Sequence, residues 1–265
     1  MTHTTDGAAG FLTALRPPDP EPDSGTAAQP APAAGLWSVA TALHDELPPD
    51  VRDGWARRLY ALLQEQYGHD SVTGPPVNRG LSVVHDWQGR TVLPLVAEIL
   101  SGGQSLPFSA LAGLHTAAAA GRPDAPDAWR TALHPVLLHL HAAAYDRTSA
   151  YAEGHRGALE YALSQGRSPA EADAYGHEYA ELSTTANALA FAEAHALALS
   201  DALARAYAAD DDTAYAHTCP ASQVRVVVRA WDRVSPDERA GDDPLARMSD
   251  GLLSALARTS PPRNR

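Results

Sequence analysis

The sequence predicts an all-α fold, a helical bundle built around a long antiparallel helical hairpin, and three observations carry that prediction. Apolar residues recur at three- and four-residue spacing almost throughout from residue 35 onward. Ala is abundant while aromatics make up only 6%, a composition suited to helices packed closely on small side chains. No stretch reads as a convincing strand: VRVVV at 224–228 is β-prone, but its flanks, SQVRVVVRAWDRV, keep helical spacing.

The elements follow in order. Residues 1–34 include RPPDPEPDSGTAAQPAPAA, too poor in apolar surface to fold, and read as a disordered Pro/Ala-rich tail. Within it Phe11, Leu12 and Leu15 share helical spacing, which reads as a frayed turn before it reads as a docking peptide. LWSVATALHDEL forms a short helix stopped by Pro48-Pro49. DVRDGWARRLYALLQEQYG forms a second, with Trp55, Leu59, Leu62 and Leu63 on one face. A loop, HDSVTGPPVNRG, leads to LSVVHDWQGRTVLPLVAEILSG, a helix kinked or split at Pro94. LPFSALAGLHTAAAAG is a fourth, ending at Gly121.

The longest helices span about 126–165 and 169–209, with Pro135 as a kink in the first. QGRSPAE joins them: Gly166 suits a left-handed cap, Ser168 an N-cap, Pro169 the first helical position, and Glu171 completes a capping box. The pair therefore forms a hairpin turning near residue 167. Two more helices follow, near 220–234 and 243–258, with SPDE at 235–238 as another capping box, and 260–265 is a loose tail. The expectation is one all-α domain over 35–259, with seven or eight helices.

Charge and cysteine content bound the function. A net charge of −12 and a pI near 5.3 repel phosphate backbones and argue against nucleic-acid partners. One cysteine, Cys219, precludes an internal disulfide and fits a reducing compartment. The N-terminus lacks the pattern of a signal peptide and no run reaches membrane-spanning length, so a cytoplasmic location is expected. The basic residues are all Arg, as GC-rich bacterial coding produces.

SAYAEGH at 149–155 returns as LAFAEAH at 189–195. Glu and His two residues apart point about 200° apart on a helix, so the unit is packing periodicity and cannot grip one ion. Leu137, Leu138, Leu159 and Leu163 mark the core side of the first long helix, opposite Asp146, Glu153 and Glu160. His134, His141, Thr148 and His155 recur every seven residues on that core side, joined by Tyr145. On the second, Leu182, Leu189, Leu199 and Leu203 mark the core, with Glu181 and Thr185 inside that face and His177 and His195 at its edge.

A turn near 167 places His155 level with residue 180, beside His177 and Glu181, which lie one helical turn apart. Two imidazoles and a carboxylate suit a divalent metal such as iron, manganese or zinc, or acid/base work by Glu181. His141 and His195 form a second cluster about 20 Å further along. Hydrogen bonding among helix histidines explains the same pattern more simply. Arg225, Arg229 and Arg233 recur every four residues, as an anionic-ligand pocket or, more simply, a stripe paired with acidic neighbours. Asp210-Asp211-Asp212 lacks the further spaced aspartate of a diphosphate-metal site, and His217-x-Cys219 reads as incidental before it reads as a thiol–base pair. No Gly-rich phosphate loop, GxSxG elbow or CxxC is present.

Two functions fit. The first is a non-catalytic helical interaction or accessory protein of a bacterial cytoplasm, self-associating or binding a protein partner. The second is a metal-dependent or acid/base enzyme using His155, His177 and Glu181. A small-molecule ligand suits either.

Overall fold

A computed structural model of the chain describes residues 34–67, 81–101, 105–234 and 242–259. The tail at 1–33, the loop at 68–80, the SPDE box and the last six residues lie outside the described residues, and so does the reading made of each.

The regular structure among the described residues is all helical, with no strand. The helices are α1 (Ala34–Glu46), α2 (Pro49–Tyr67), α3 (Ser82–Trp87), α4 (Leu93–Ile99), α5 (Phe108–Ala119), α6 (Pro126–Ala144), α7 (Arg147–Ser164), α8 (Pro169–Ala208), α9 (Asp212–Ala216), α10 (Pro220–Val234) and α11 (Pro244–Thr259). That is eleven among the described residues, more than the seven or eight expected. The surplus comes from two splits and from the short α9, which lies between the helices expected to end near 209 and begin near 220.

Two splits are informative. Pro94 has no N–H to donate, and a π-helical turn at Gln88–Val92 absorbs the defect between α3 and α4. This turn presses Thr91 against α11 at Gly251, where a Cβ would overlap the Thr91 side chain. The helix expected over 126–165 breaks at Tyr145-Asp146. Tyr145 is extended, and Asp146 caps α7 by accepting from the Ser149 N–H (3.1 Å) and hydroxyl (3.0 Å). Pro135 stays inside α6.

The α7–α8 turn forms as its chemistry dictates. Gly166 adopts φ +80°, and Ser168 and Glu171 exchange both bonds of the capping box.

The main core lies among α1–α6, the C-terminal part of α8 and α9–α11, around Leu43, Leu59, Trp129, Tyr207, Met248 and Leu252. Trp55 and Trp87 donate their indole N–H groups to the Ser249 and Met248 carbonyls of α11, at 3.0 and 2.9 Å. By contrast, α7 packs substantially against α8 alone. The hairpin is therefore a two-helix arm rooted in the core through α6 and the end of α8.

The arm is zipped by small residues rather than leucines. Ala172, Gly176, Ala180, Thr184, Ala188, Ala192, Ala196 and Ser200 are all buried, at strict four-residue spacing. Such a line advances about 40° per step around a 3.6-residue helix, so it winds around α8, and the break at Tyr145-Asp146 lets the α6–α7 path turn and follow it. The expected leucine face is corrected accordingly: Leu182 and Leu189 are 66% and 55% exposed, and Leu163 is exposed too. Close helix approach leaves room only for small side chains, which pushes the large ones outward.

Candidate functional site

The register of the hairpin decides which polar side chains meet. Gly176 backs directly onto His155, whose carbonyl would lie 3.1 Å from a Cβ there. Gly154 backs onto Ala180, so the level is close to that expected, but the His155 ring lies against Gly176 and leans toward the hairpin turn. The carboxylate within reach is Asp173, and Glu181 stands exposed one turn too far along.

His155, Asp173 and His177 form the cluster, with donor atoms within 4.8 Å of one another. His155 Nε2–H donates to Asp173 Oδ1 (3.2 Å). The Tyr151 hydroxyl and His177 Nδ1 share a hydrogen bond (2.7 Å), and His177 Nε2 lies 3.6 Å from Asp173 Oδ2. The two imidazole rings are 4.3 Å apart. Two imidazoles and one carboxylate on one surface form a three-ligand set with open positions. Its members also satisfy one another by hydrogen bonds, as a purely structural cluster does.

The second pair, His141 and His195, meets as expected, with ring centroids 5.0 Å apart. His195 Nδ1 lies 2.8 Å from the Phe191 carbonyl. A carbonyl only accepts, so that nitrogen carries the hydrogen and Nε2 presents a lone pair. His141 is 4% exposed, its Nδ1 has no hydrogen-bond partner, and burial, aided by nearby His195, pushes its pKa down to about 4.

The arginine stripe is committed to the fold at two of its three positions. Arg225 pairs with Glu46; Arg233 pairs with Asp146 (3.2 Å) and donates to the Ala144 carbonyl at the end of α6. Arg229 is exposed. Asp210 accepts from the Leu81 N–H (2.7 Å) and Asp211 caps α9 (2.9 Å to the Ala214 N–H), so two members of the acidic triplet serve the backbone.

Sequence reasoning missed one polar pair. His85 and His115 meet Nδ1 to Nδ1 at 3.1 Å in the core, walled by Trp129 and Tyr207 with ring centroids 4.8–5.5 Å away. His85 Nε2 and Trp129 Nε1 have no partner. Burial lowers His85 to about 4; burial and then His85 itself hold His115 well below its ordinary value. The two lie on different helices thirty residues apart, and no local spacing announces them.

The arm also carries an apolar outer face. Tyr179, Leu182, Leu189 and Leu197 are exposed within about 80° of one another around α8. From Leu182 to Ser200, LSTTANALAFAEAHALALS, the only formally charged residue is Glu193.

What these features define is an all-α bundle with a projecting hairpin. The chain matches no known family, no curated protein and no solved structure.

Proposed function

We propose that this chain is a non-catalytic helical interaction protein that pairs with a second copy of itself through the α7–α8 arm. The observation that carries the reading is the sparsely charged apolar face of α8, where Leu182, Leu189 and Leu197 are more than half exposed and Glu193 is the one charge among them, on a helix packed by α6 and α7. Large apolar side chains left exposed repeatedly along one helix support an interface reading. From Tyr179 to Leu197 the face runs about 27 Å, enough for a helix-on-helix contact. Low charge favours a second copy as occupant. Two chains of net charge −12 repel, and an isologous contact is best placed where the charge is least. Two paired arms would make a four-helix bundle, which is how two-helix layers bury their second face.

The test is sedimentation equilibrium of the wild type and of Leu182→Glu/Leu189→Glu. Both side chains are exposed in the single chain, so the double variant is expected to fold with an unchanged far-UV spectrum. A wild-type dimer and a monomeric variant are expected. A wild type that stays monomeric at tens of micromolar, or a variant that still dimerises, refutes the proposal.

A second reading is favoured by the convergence of His155, Asp173 and His177: a divalent metal, iron, manganese or zinc, held on the arm. Metal analysis of untagged protein tests it. One equivalent retained by the wild type and by Glu181→Gln, but lost from Asp173→Asn, is expected. Metal-free protein whose melting temperature does not rise with added zinc overturns it.

A further inference from the structure

At the root of the arm, α6, α8 and the α9–α10 connection flank an open cleft of about 440 Å³. His141, His195, His217, Cys219 and Gln223 line it together with alanines of α8. No Asp, Glu or Arg lines it, although charged residues make up 20% of the chain. Past His141, Leu199 and Gln223, which belong to both walls, lies a chamber of about 70 Å³ lined by Trp87, Val96, Leu133, Val136, Val227 and Met248.

The polar wall is incomplete. His141 is almost wholly buried with Nδ1 unpartnered, a group left unsatisfied at an energetic cost. His195 offers the Nε2 lone pair fixed by its bond to Phe191. The connection is held in an uncommon shape: Cys219 has φ +57°, in the left-handed region, and the Gln223 amide donates to the Thr218 carbonyl (3.1 Å) and hydroxyl (2.9 Å). Strained backbone held in place by its surroundings is characteristic of ligand sites.

We propose that this cleft and chamber bind a small uncharged amphiphile, with a hydroxyl head at His141 and His195 and a short hydrocarbon tail in the chamber. A hydroxyl carries one proton and two lone pairs, so it can accept from His141 Nδ1–H while donating its proton to His195 Nε2. The charge-free lining selects against ions, whose desolvation nothing there offsets. The apolar chamber rewards each buried methylene until it is full. The site does not rest on self-association through Leu182 and Leu189, which lie about 9–20 Å along α8 from His195.

Cys219 is the only thiol in the chain and stands on the cleft wall, so it reports occupancy directly. The experiment is the rate of its alkylation by N-ethylmaleimide in butan-1-ol, hexan-1-ol and octan-1-ol, with hexanoate as the charged control. Saturable protection is expected, about tenfold at ten times Kd, with Kd falling from butanol to hexanol. Hexanoate should protect only weakly. His141→Phe should abolish protection; His195→Leu, at an exposed position, should weaken it without affecting folding. No saturable protection of the wild type, equal protection by hexanoate, or full protection in His195→Leu overturns the proposal.

Discussion

Lowering the pH from 7 to 5.5 should destabilise this fold through three histidines, His85, His115 and His141. The perturbation acts on the unfolded state. There each imidazole titrates near 6.5, whereas in the fold burial holds His85 and His141 neutral to about 4 and, with His85 beside it, holds His115 well below its ordinary value. What faces His85 is His115 from α5, Trp129 from α6 and Tyr207 from α8, and none of these is a carboxylate able to hold an imidazolium. Because the folded values lie below the unfolded one, the associated stability is fully present above about pH 6.5. It drains away as pH falls toward 4, while the unfolded chain binds protons that the fold refuses. Between pH 7 and 5.5 each group costs about 1.3 kcal/mol, and the three together roughly 4 kcal/mol. Against a total stability of about 5–15 kcal/mol that is a large share, equivalent to a fall in Tm of roughly 8–16 °C. The carboxylates held low by their partners, Asp146, Glu171 and Asp201, lose stability only at more acidic pH, so this window isolates the imidazoles. The assay is urea unfolding followed by far-UV circular dichroism at several pH values, for the wild type and for His115→Leu. The variant's stability should fall less steeply, by up to about 1.4 kcal/mol per pH unit. Equal stability at pH 7 and 5.5, or a slope unchanged in His115→Leu, would show that these groups take up protons in the fold and refute the reasoning.

Other expected outcomes concern packing and the arm. Gly251→Ala forces a methyl into Thr91 and should cost about 1–3 kcal/mol despite the better helix propensity of Ala; Thr91→Ala in the same chain should recover most of it, read by thermal unfolding. Leu182→Glu/Leu189→Glu should leave the stability of the isolated chain within about 0.5 kcal/mol while abolishing self-association, because both side chains are exposed before pairing. Any bound metal should depend on Asp173 and not on Glu181, since only Asp173 shares the surface of His155 and His177.

The sequence by itself determined the helical character, most helix ends and the hairpin. These are local properties: Gly166, Ser168, Pro169 and Glu171 act within one turn of the backbone, and 3.6-residue periodicity shows which segments coil. It also placed His155 near His177 and His141 near His195, because an antiparallel turn of known position fixes approximate level. The break at Asp146 was legible in principle, as an Asp followed three residues later by Ser, but it sat inside a long periodic run that concealed it. Tertiary structure alone decided three things. It set the direction in which the His155 ring leans, toward Gly176, which exchanged Glu181 for Asp173. It decided that alanines and Gly176 face inward on α8 while Leu182 and Leu189 face out: leucine spacing reports an apolar side, whereas burial depends on how closely the partner helix approaches. And it brought His85 and His115 together from separate helices. Their meeting depends on how α3 and α5 dock on α6 and α8, a long-range packing outcome that no spacing along the chain encodes.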